Sequence, residues 1–246
     1  MDNFLYLAAS GATQNMNALG VHANNLANAK SDAFKADMHQ ARSMQAYGEG
    51  LPTRVFAMEE RPASNFDSGA LKTTGRAMDV AIKGQGWLVV QDGNGGEGLT
   101  RAGALRFDET GMLLNNQGRP VLGEAGPIFA PLPIEKVEIA VDGMVTVRPQ
   151  GAPADGFEEV GQLRLSNPEV ANLTKGEDGL FRDLDNDNYP TDITVQLQSG
   201  TLEGSNVNPV EEMVGMLAAQ RQFDMQIKLM KTAEENDQAG SRMMDV

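Results

Sequence analysis

Residues 137–147 read Val137-Glu138-Ile139-Ala140-Val141-Asp142-Gly143-Met144-Val145-Thr146-Val147, two alternating runs joined by Asp-Gly. An Asp-Gly pair between such runs is a strong hairpin signal, because both residues accept the backbone angles of a tight turn. The same grammar extends outward. Val80-Ala81-Ile82 and Trp87-Leu88-Val89-Val90 predict strands around Gly84-Gln85-Gly86. Gly93-Asn94-Gly95-Gly96 is a turn before a strand through Leu99, Arg101, Leu105 and Phe107. Glu109-Thr110-Gly111 and Asn116-Gln117-Gly118 punctuate two short strands that end in Pro120-Val121-Leu122. Further strands are expected over 162–165 and over 193–197, the latter beginning at Ile193. Short strands with frequent turn residues specify an antiparallel β-domain, here over 71–198.

At both ends the apolar period lengthens to that of a helix seam. Leu5, Ala9, Ala12, Met16, Leu19, Ala23 and Leu26 are spaced 4-3-4-3-4-3, and Met213, Met216, Gln220, Phe223, Ile227 and Met230 are spaced 3-4-3-4-3. Ser205, Asn206 and Asn208 offer caps for the second helix, Pro209 sits just inside its start, and Gly240 is expected to stop it. Glu211 and Glu212 in the first turn, with Lys228 and Lys231 further along, complement the helix dipole. Alanines on the first seam admit a close partner, and methionines on the second pack adaptably. An ordinary amphipathic helix against a globular core gives the same pattern. Two such ends around a β middle fit an antiparallel coiled coil, and seams this short need other subunits to complete them.

The expected fold class is therefore α+β: paired N- and C-terminal coiled-coil helices bracketing an antiparallel all-β domain. Residues 1–29 form the first helix, 30–70 an extended or hairpin-like connector, 71–198 the β-domain, and 199–246 a C-terminal segment and helix that packs with 1–29. The connector carries Phe34, Met38, Met44, Leu51, Val55 and Phe56 among Gly48, Gly50, Pro52 and Pro62.

Composition narrows the function. With 34 acidic and 20 basic residues the formal charge is −14, opposite to the basic stripe of a nucleic-acid protein. The absence of cysteine excludes disulfides, zinc ribbons and thiol nucleophiles. Only His22 and His39 remain for imidazole chemistry, and neither has an evident ligand companion. Residues 3–29 carry no charge, yet Gln14, Asn15, Asn17, Asn24, Asn25 and Asn28 argue against a membrane span. Asp2 precedes any basic residue, so a cleavable signal peptide is not expected either.

Asp183, Asp185, Asp187 and Asn188 resemble the start of a calcium loop. However, the sixth and twelfth positions are Asn188 and Thr194 instead of glycine and glutamate, so a solvated acidic loop is the reading. Gly84-Gln85-Gly86 lacks the third glycine and following helix of a dinucleotide fingerprint, and Trp87 reads as core. No G-x-S-x-G, P-loop or H-E-x-x-H occurs. No catalytic residue, metal or cofactor is expected, and the chain does not read as an enzyme.

Four ordered stretches resemble the flagellar rod and hook family. Ala23-Asn24-Asn25-Leu26-Ala27-Asn28 with Phe34-Lys35 is similar to its N-terminal signature, where Thr-Pro-Gly usually stands in place of Ser31-Asp32-Ala33. Met78-Asp79-Val80-Ala81-Ile82-Lys83-Gly84-Gln85-Gly86-Trp87 is similar to its central motif, and Thr100-Arg101-Ala102-Gly103 to its T-R-x-G element. Gly200-Thr201-Leu202-Glu203-Gly204-Ser205-Asn206-Val207-Asn208 and Gln220-Arg221-x-Phe223 are similar to its C-terminal signature. The compact length, Trp87, Glu124-Ala125-Gly126-Pro127-Ile128 and Met225-Gln226 resemble a proximal-rod member more than a distal-rod one.

The resemblance implies a structural subunit of the basal-body rod that transmits motor torque, with the terminal helices along the axis and the β-domain outward. Its partners would be other rod proteins, further copies of itself in a helical assembly, and the flagellar type III export apparatus. It would stand in the periplasmic space, exported without a cleavable signal, with no nucleic acid and no membrane insertion. Leu5, Ala12, Met16, Leu19 and Leu26, with Met213, Met216, Phe223, Ile227 and Met230, are expected to carry the axial contacts. A secreted β-domain binding module or enzyme, or an adhesin-like fibre subunit, shares the acidic, glycine-rich middle. Neither gains from two partnerless heptad ends, and a fibre subunit would want a signal peptide.

Overall fold

The computed structural model describes residues 2–45, 55–59, 63–153, 155–186 and 188–244. Leu51, Gly48, Gly50, Pro52, Pro62 and Asp187 lie outside them. Helix α1 spans Asp2–Ala27 and helix α2 spans Pro209–Met244, and between them the regular structure is almost all antiparallel strand. Asn208 caps α2, its side-chain oxygen accepting the Val210 N–H at 3.2 Å and its carbonyl the Glu212 N–H at 3.1 Å. The helix does not stop at Gly240 but continues to Met244. One helical glycine costs only about 1 kcal/mol relative to alanine, too little to end a long helix.

Two compact units form. One gathers Met1–Ala29, Ala36–Asn65 and Val207–Val246, and the other Lys30–Lys35 and Phe66–Asn206. In the first, Ala41–Gln45 pairs with Val55–Glu59, and Asp37–Met38 with Ala63–Ser64, beside the two helices.

The second unit is built on a five-stranded antiparallel sheet. Its order is Leu165–Ser166, Trp87–Gln91, Glu97–Thr100, Phe181–Asp183, Leu173–Lys175. A three-stranded sheet of Ile134–Ile139, Met144–Pro149 and Glu158–Gln162 packs with it around a shared core. Strand Trp87–Gln91 is buried on both faces, which explains its unbroken apolar run. Leu88 and Val90 enter one cluster with Val80, Leu105, Val145 and Leu163, and Trp87 and Val89 enter another with Leu99, Phe181 and Tyr189. Gly103 has to be glycine, because a β-carbon there would stand 1.8 Å from the Val80 carbonyl oxygen.

Two turns differ from the expected ones. The hairpin strands end at Ile139 and restart at Met144, so Val141 is in the turn and not in a strand. The Gly143 N–H bonds the Ala140 carbonyl, and Gly143 alone takes a positive φ, of 87°. That is the three-residue loop with a left-handed third residue, where two-residue hairpin turns would need positive φ earlier. The strand expected from Ile193 begins only at Gln196, paired with Val80–Lys83. Asp192 prevents an earlier start, because its carboxylate bonds the Thr194 N–H at 2.9 Å and folds the chain into a turn.

Arg182 cross-links neighbouring strands at the sheet's rim, 2.9 Å from Asp92 and 2.7 Å from Asp178. Its hydrogen bonds hold both carboxyls below their ordinary pKa, and the Thr110 and Thr194 hydroxyls do the same for Asp108 and Asp192. Carboxyls depressed by folding stabilise the fold above their unfolded pKa, near 4, and lose that contribution as pH falls through their depressed values. The thermal midpoint of the β unit is therefore expected to hold from pH 7 to about pH 5 and to drop below about pH 4. Arg182→Gln should make that acid drop shallower while lowering the midpoint at neutral pH. Calorimetry across the pH series checks both.

Candidate functional site

Three segments far apart in sequence converge on one carboxylate. Glu203 ends strand Thr201–Glu203, which pairs with Leu71–Thr73, and its side chain is almost wholly buried. Lys35 Nζ lies 2.8 Å from Glu203 Oε1, and Arg101 Nε lies 2.8 Å from Oε2. The Gly69 N–H donates to Oε1 at 2.9 Å. Lys35 Nζ also donates to the Asp67 carbonyl at 2.7 Å, and Arg101 Nη2 to the Gly84 carbonyl at 2.6 Å. The Arg101–Glu203 approach is close but not aligned as a hydrogen bond, so it acts through charge. Burial pushes the Lys35 ammonium below its ordinary pKa, and the hydrogen bond and charge of Glu203 oppose that shift.

The motif residues surround this cluster. The Ala33 N–H bonds the Glu203 carbonyl at 2.7 Å and the Asn206 N–H bonds the Phe34 carbonyl at 3.2 Å, so 33–34 and 203–206 run side by side. The ammonium of Lys175 stands 4.0 Å from the Phe34 ring centroid, a cation–π contact. The Arg101 guanidinium lies 5.7 Å from the Trp87 ring centroid, and Trp87 packs on Phe66 and Phe181. The Asp79 carbonyl accepts the Gly200 N–H, the Gly204 N–H bonds Ala70, and the Asn206 side chain bonds the Asp67 carbonyl. Gly84 and Gly86 shape the turn whose carbonyl Arg101 holds, and Ser205 is half-buried.

In the helical unit α1 and α2 run antiparallel, since contacts descend along α2 as they rise along α1. A β-carbon on Gly11 would meet Gln226 at 2.9 Å, and one on Gly215 would meet the His22 ring at 2.6 Å. His22 Nδ1 lies 2.5 Å from Glu212 Oε2, and Asn25 Nδ2 donates to Glu212 Oε1 at 3.0 Å. Asn25 also exchanges hydrogen bonds with the Asp37 backbone, while Asn24 donates to the Asp37 carboxylate and Asn28 to Asn24. Ala8, Ala12 and Ala219 are buried.

The expected axial residues divide between two faces. Ala12 is buried, and Leu19, Leu26, Met216, Phe223 and Met230 are half-buried. Leu5, Met16, Met213 and Ile227 are exposed, as is Arg221. The less exposed face of α2 passes through Glu212, Met216, Ala219, Phe223, Gln226 and Met230, turned partly away from the heptad seam. Sequence reasoning missed the His22–Glu212 contact, having assigned Glu212 to the helix dipole. The legible signal was glycine inside both helices, which is costly unless another element approaches closely.

Among the described residues no three acidic or histidine side chains converge as a metal site, and no helix is long and apolar enough to cross a membrane.

Two protein families match the chain. Residues 81–147 match the flagellar hook protein FlgE/F/G D1 domain, and residues 198–243 match the flagellar basal body rod FlgEFG protein C-terminal family. The chain is similar to flagellar basal-body rod protein FlgF of Escherichia coli K12, 38% identical with both chains covered in full. It is 37% identical to the FlgF of Salmonella typhimurium LT2, again over all of both chains. It is 29% identical to a flagellar basal-body rod protein FlgG of Buchnera aphidicola, over 94% of this chain and 95% of that one.

Glu203→Gln leaves Lys35 and Arg101 as buried cations without a counter-charge, and is expected to cost about 3–5 kcal/mol. Urea denaturation followed by the fluorescence of Trp87 reads that loss. Ala33 stands at φ 56°, a left-handed angle that costs an L-residue about 1–2 kcal/mol. Ala33→Gly should therefore raise the same denaturation midpoint, by about 1 kcal/mol after glycine's greater freedom in the unfolded chain is subtracted.

Proposed function

The chain belongs to the flagellar basal-body rod family and is a structural subunit of the bacterial flagellar rod, not an enzyme; from that premise we propose that it occupies the proximal rod. The 38% identity to a FlgF over full length favours that position. Rod proteins assemble with other rod components, and here the helices supply the contact. They complete themselves as coiled coils against neighbouring subunits, after delivery by the type III export apparatus. The subunit's work is mechanical, passing motor torque along the stack.

The observation that carries this reading is apolar surface left open on both helices. Tyr6, Met16, Val210, Val214, Leu217 and Met225 are each more than half exposed. Burying one large apolar side chain contributes about 1.5–3 kcal/mol, so a subunit docking through several of them gains far more than the single chain does. A heterologous contact that does not close on itself builds a helix of subunits.

Gold-label electron microscopy of purified basal bodies, with a tag inserted after exposed Gly151, tests the position. Label is expected on the rod between the inner-membrane ring and the distal rod. Label beside the hook would move the chain to the distal rod, and label absent from basal bodies would restore the secreted-module reading. In the same strain Met213→Asp is expected to abolish swimming without moving the thermal midpoint of the β unit. Normal swimming would remove α2 from the packing.

A further inference from the structure

The other isoleucines of the β unit, Ile82, Ile128, Ile134 and Ile139, are buried or half-buried, but Ile193 is 93% exposed. Local chemistry holds it there. The Asp192 carboxylate accepts the N–H and the hydroxyl of Thr194 at 2.9 and 2.7 Å, and the Val195 N–H bonds the Asp192 carbonyl. This turn projects Ile193 while the next apolar residue, Val195, enters the core. Presenting an isoleucine on a pre-ordered turn keeps the entropy cost of binding low.

Ile193 stands between two surface hollows and lines both. One runs along Asn167, Asp183, Pro190 and Asp192, and the other along Val141, Asp142 and Gln196. The hairpin's three-residue turn makes Val141 a second apolar projection, 59% exposed. Asp142, Asp183 and Asp192 rim the hollows, and among the described residues no lysine or arginine lines either one. Across the ladder Gln196 pairs with Lys83, whose side chain is exposed.

A second copy of this chain is a poor occupant. Its formal charge is −14, and its β-unit arginines are largely committed to its own carboxylates. Arg119 and Arg182 hold Asp178, Arg148 holds Glu135, Arg164 holds Glu97 and Arg101 holds Glu203. Copy against copy would set carboxylate against carboxylate.

We propose that Ile193 and Val141, with their acidic rim, form a docking surface for a different protein whose contacting face is basic and carries an apolar recess. The isoleucine anchors the contact, and the carboxylates steer the partner and select against acidic surfaces. This goes beyond the axial packing of the helices and uses residues of the β unit alone.

The test replaces Ile193 with photo-reactive p-benzoylphenylalanine in the full chain in living cells, then identifies the cross-linked peptide by mass spectrometry. An adduct on another protein, within a peptide of net positive charge, is the expected result. Its yield should fall several-fold in an Asp142→Asn, Asp192→Asn background, where asparagine keeps the turn acceptors and removes the charges. No adduct, an adduct on a second copy, an adduct on an acidic or uncharged peptide, or a yield indifferent to the asparagines overturns the proposal. The same probe at Met213 reads the rod packing separately, so an adduct there with none at Ile193 sinks the docking surface alone.

Discussion

Glu203 has two oxygens, almost no solvent exposure, and cations delivered from residues 35 and 101. Taking such charges out of water costs several kcal/mol per ion, and only a full set of partners offsets it. Each partner comes from a different part of the chain, so the β unit closes only when segment 30–35 and segment 201–206 are both in place. Much else in the unit hangs on that closure. Phe34 lies beneath Lys175, Arg101 holds the Gly84 turn and covers Trp87, and Gly69 lies so close to Gly204 that a β-carbon on Gly69 would stand 2.0 Å from the Gly204 carbonyl oxygen. A buried ion cluster is an expensive way to gain stability, but its geometry accepts only one arrangement of strands.

The helical unit is held on a different principle. Alanine and glycine let α1 and α2 approach, and one polar knot of His22, Asn25, Asp37 and Glu212 pins their register near one end. Met216, Phe223 and Met230 lie on the less exposed face of α2, while Tyr6, Met16, Val210, Val214, Leu217 and Met225 stay on the outside. The apolar surface left outside is the part that the proposed docking against neighbouring subunits would bury. That division suits the proposed packing, in which the β unit has its own core and the helices gain theirs from neighbours.

Much of this was legible in residue patterns, and the exceptions have local causes. The Asp142-Gly143 hairpin was visible, but Gly143 alone takes positive φ, which lengthened the turn and put Val141 outside. Ile193 belongs by composition to the strand that follows it, and Asp192 outcompetes the ladder by bonding Thr194. Lys35 and Glu203 stood in recognisable motifs, yet nothing in either motif stated that one carboxylate would be shared by two cations.

By itself the sequence determined the class of the fold and the family. Periodicities of two and of about 3.5, glycine and asparagine at turns, and four ordered motifs are all properties of neighbouring residues, which set local backbone preference. Tertiary structure alone decided which face of each heptad helix turns inward. It also decided that Lys35, Arg101 and Glu203 form one site, and that an isoleucine stands in solvent. Those outcomes depend on pairs separated by scores of residues, where burial and charge compensation, not local preference, select the partner.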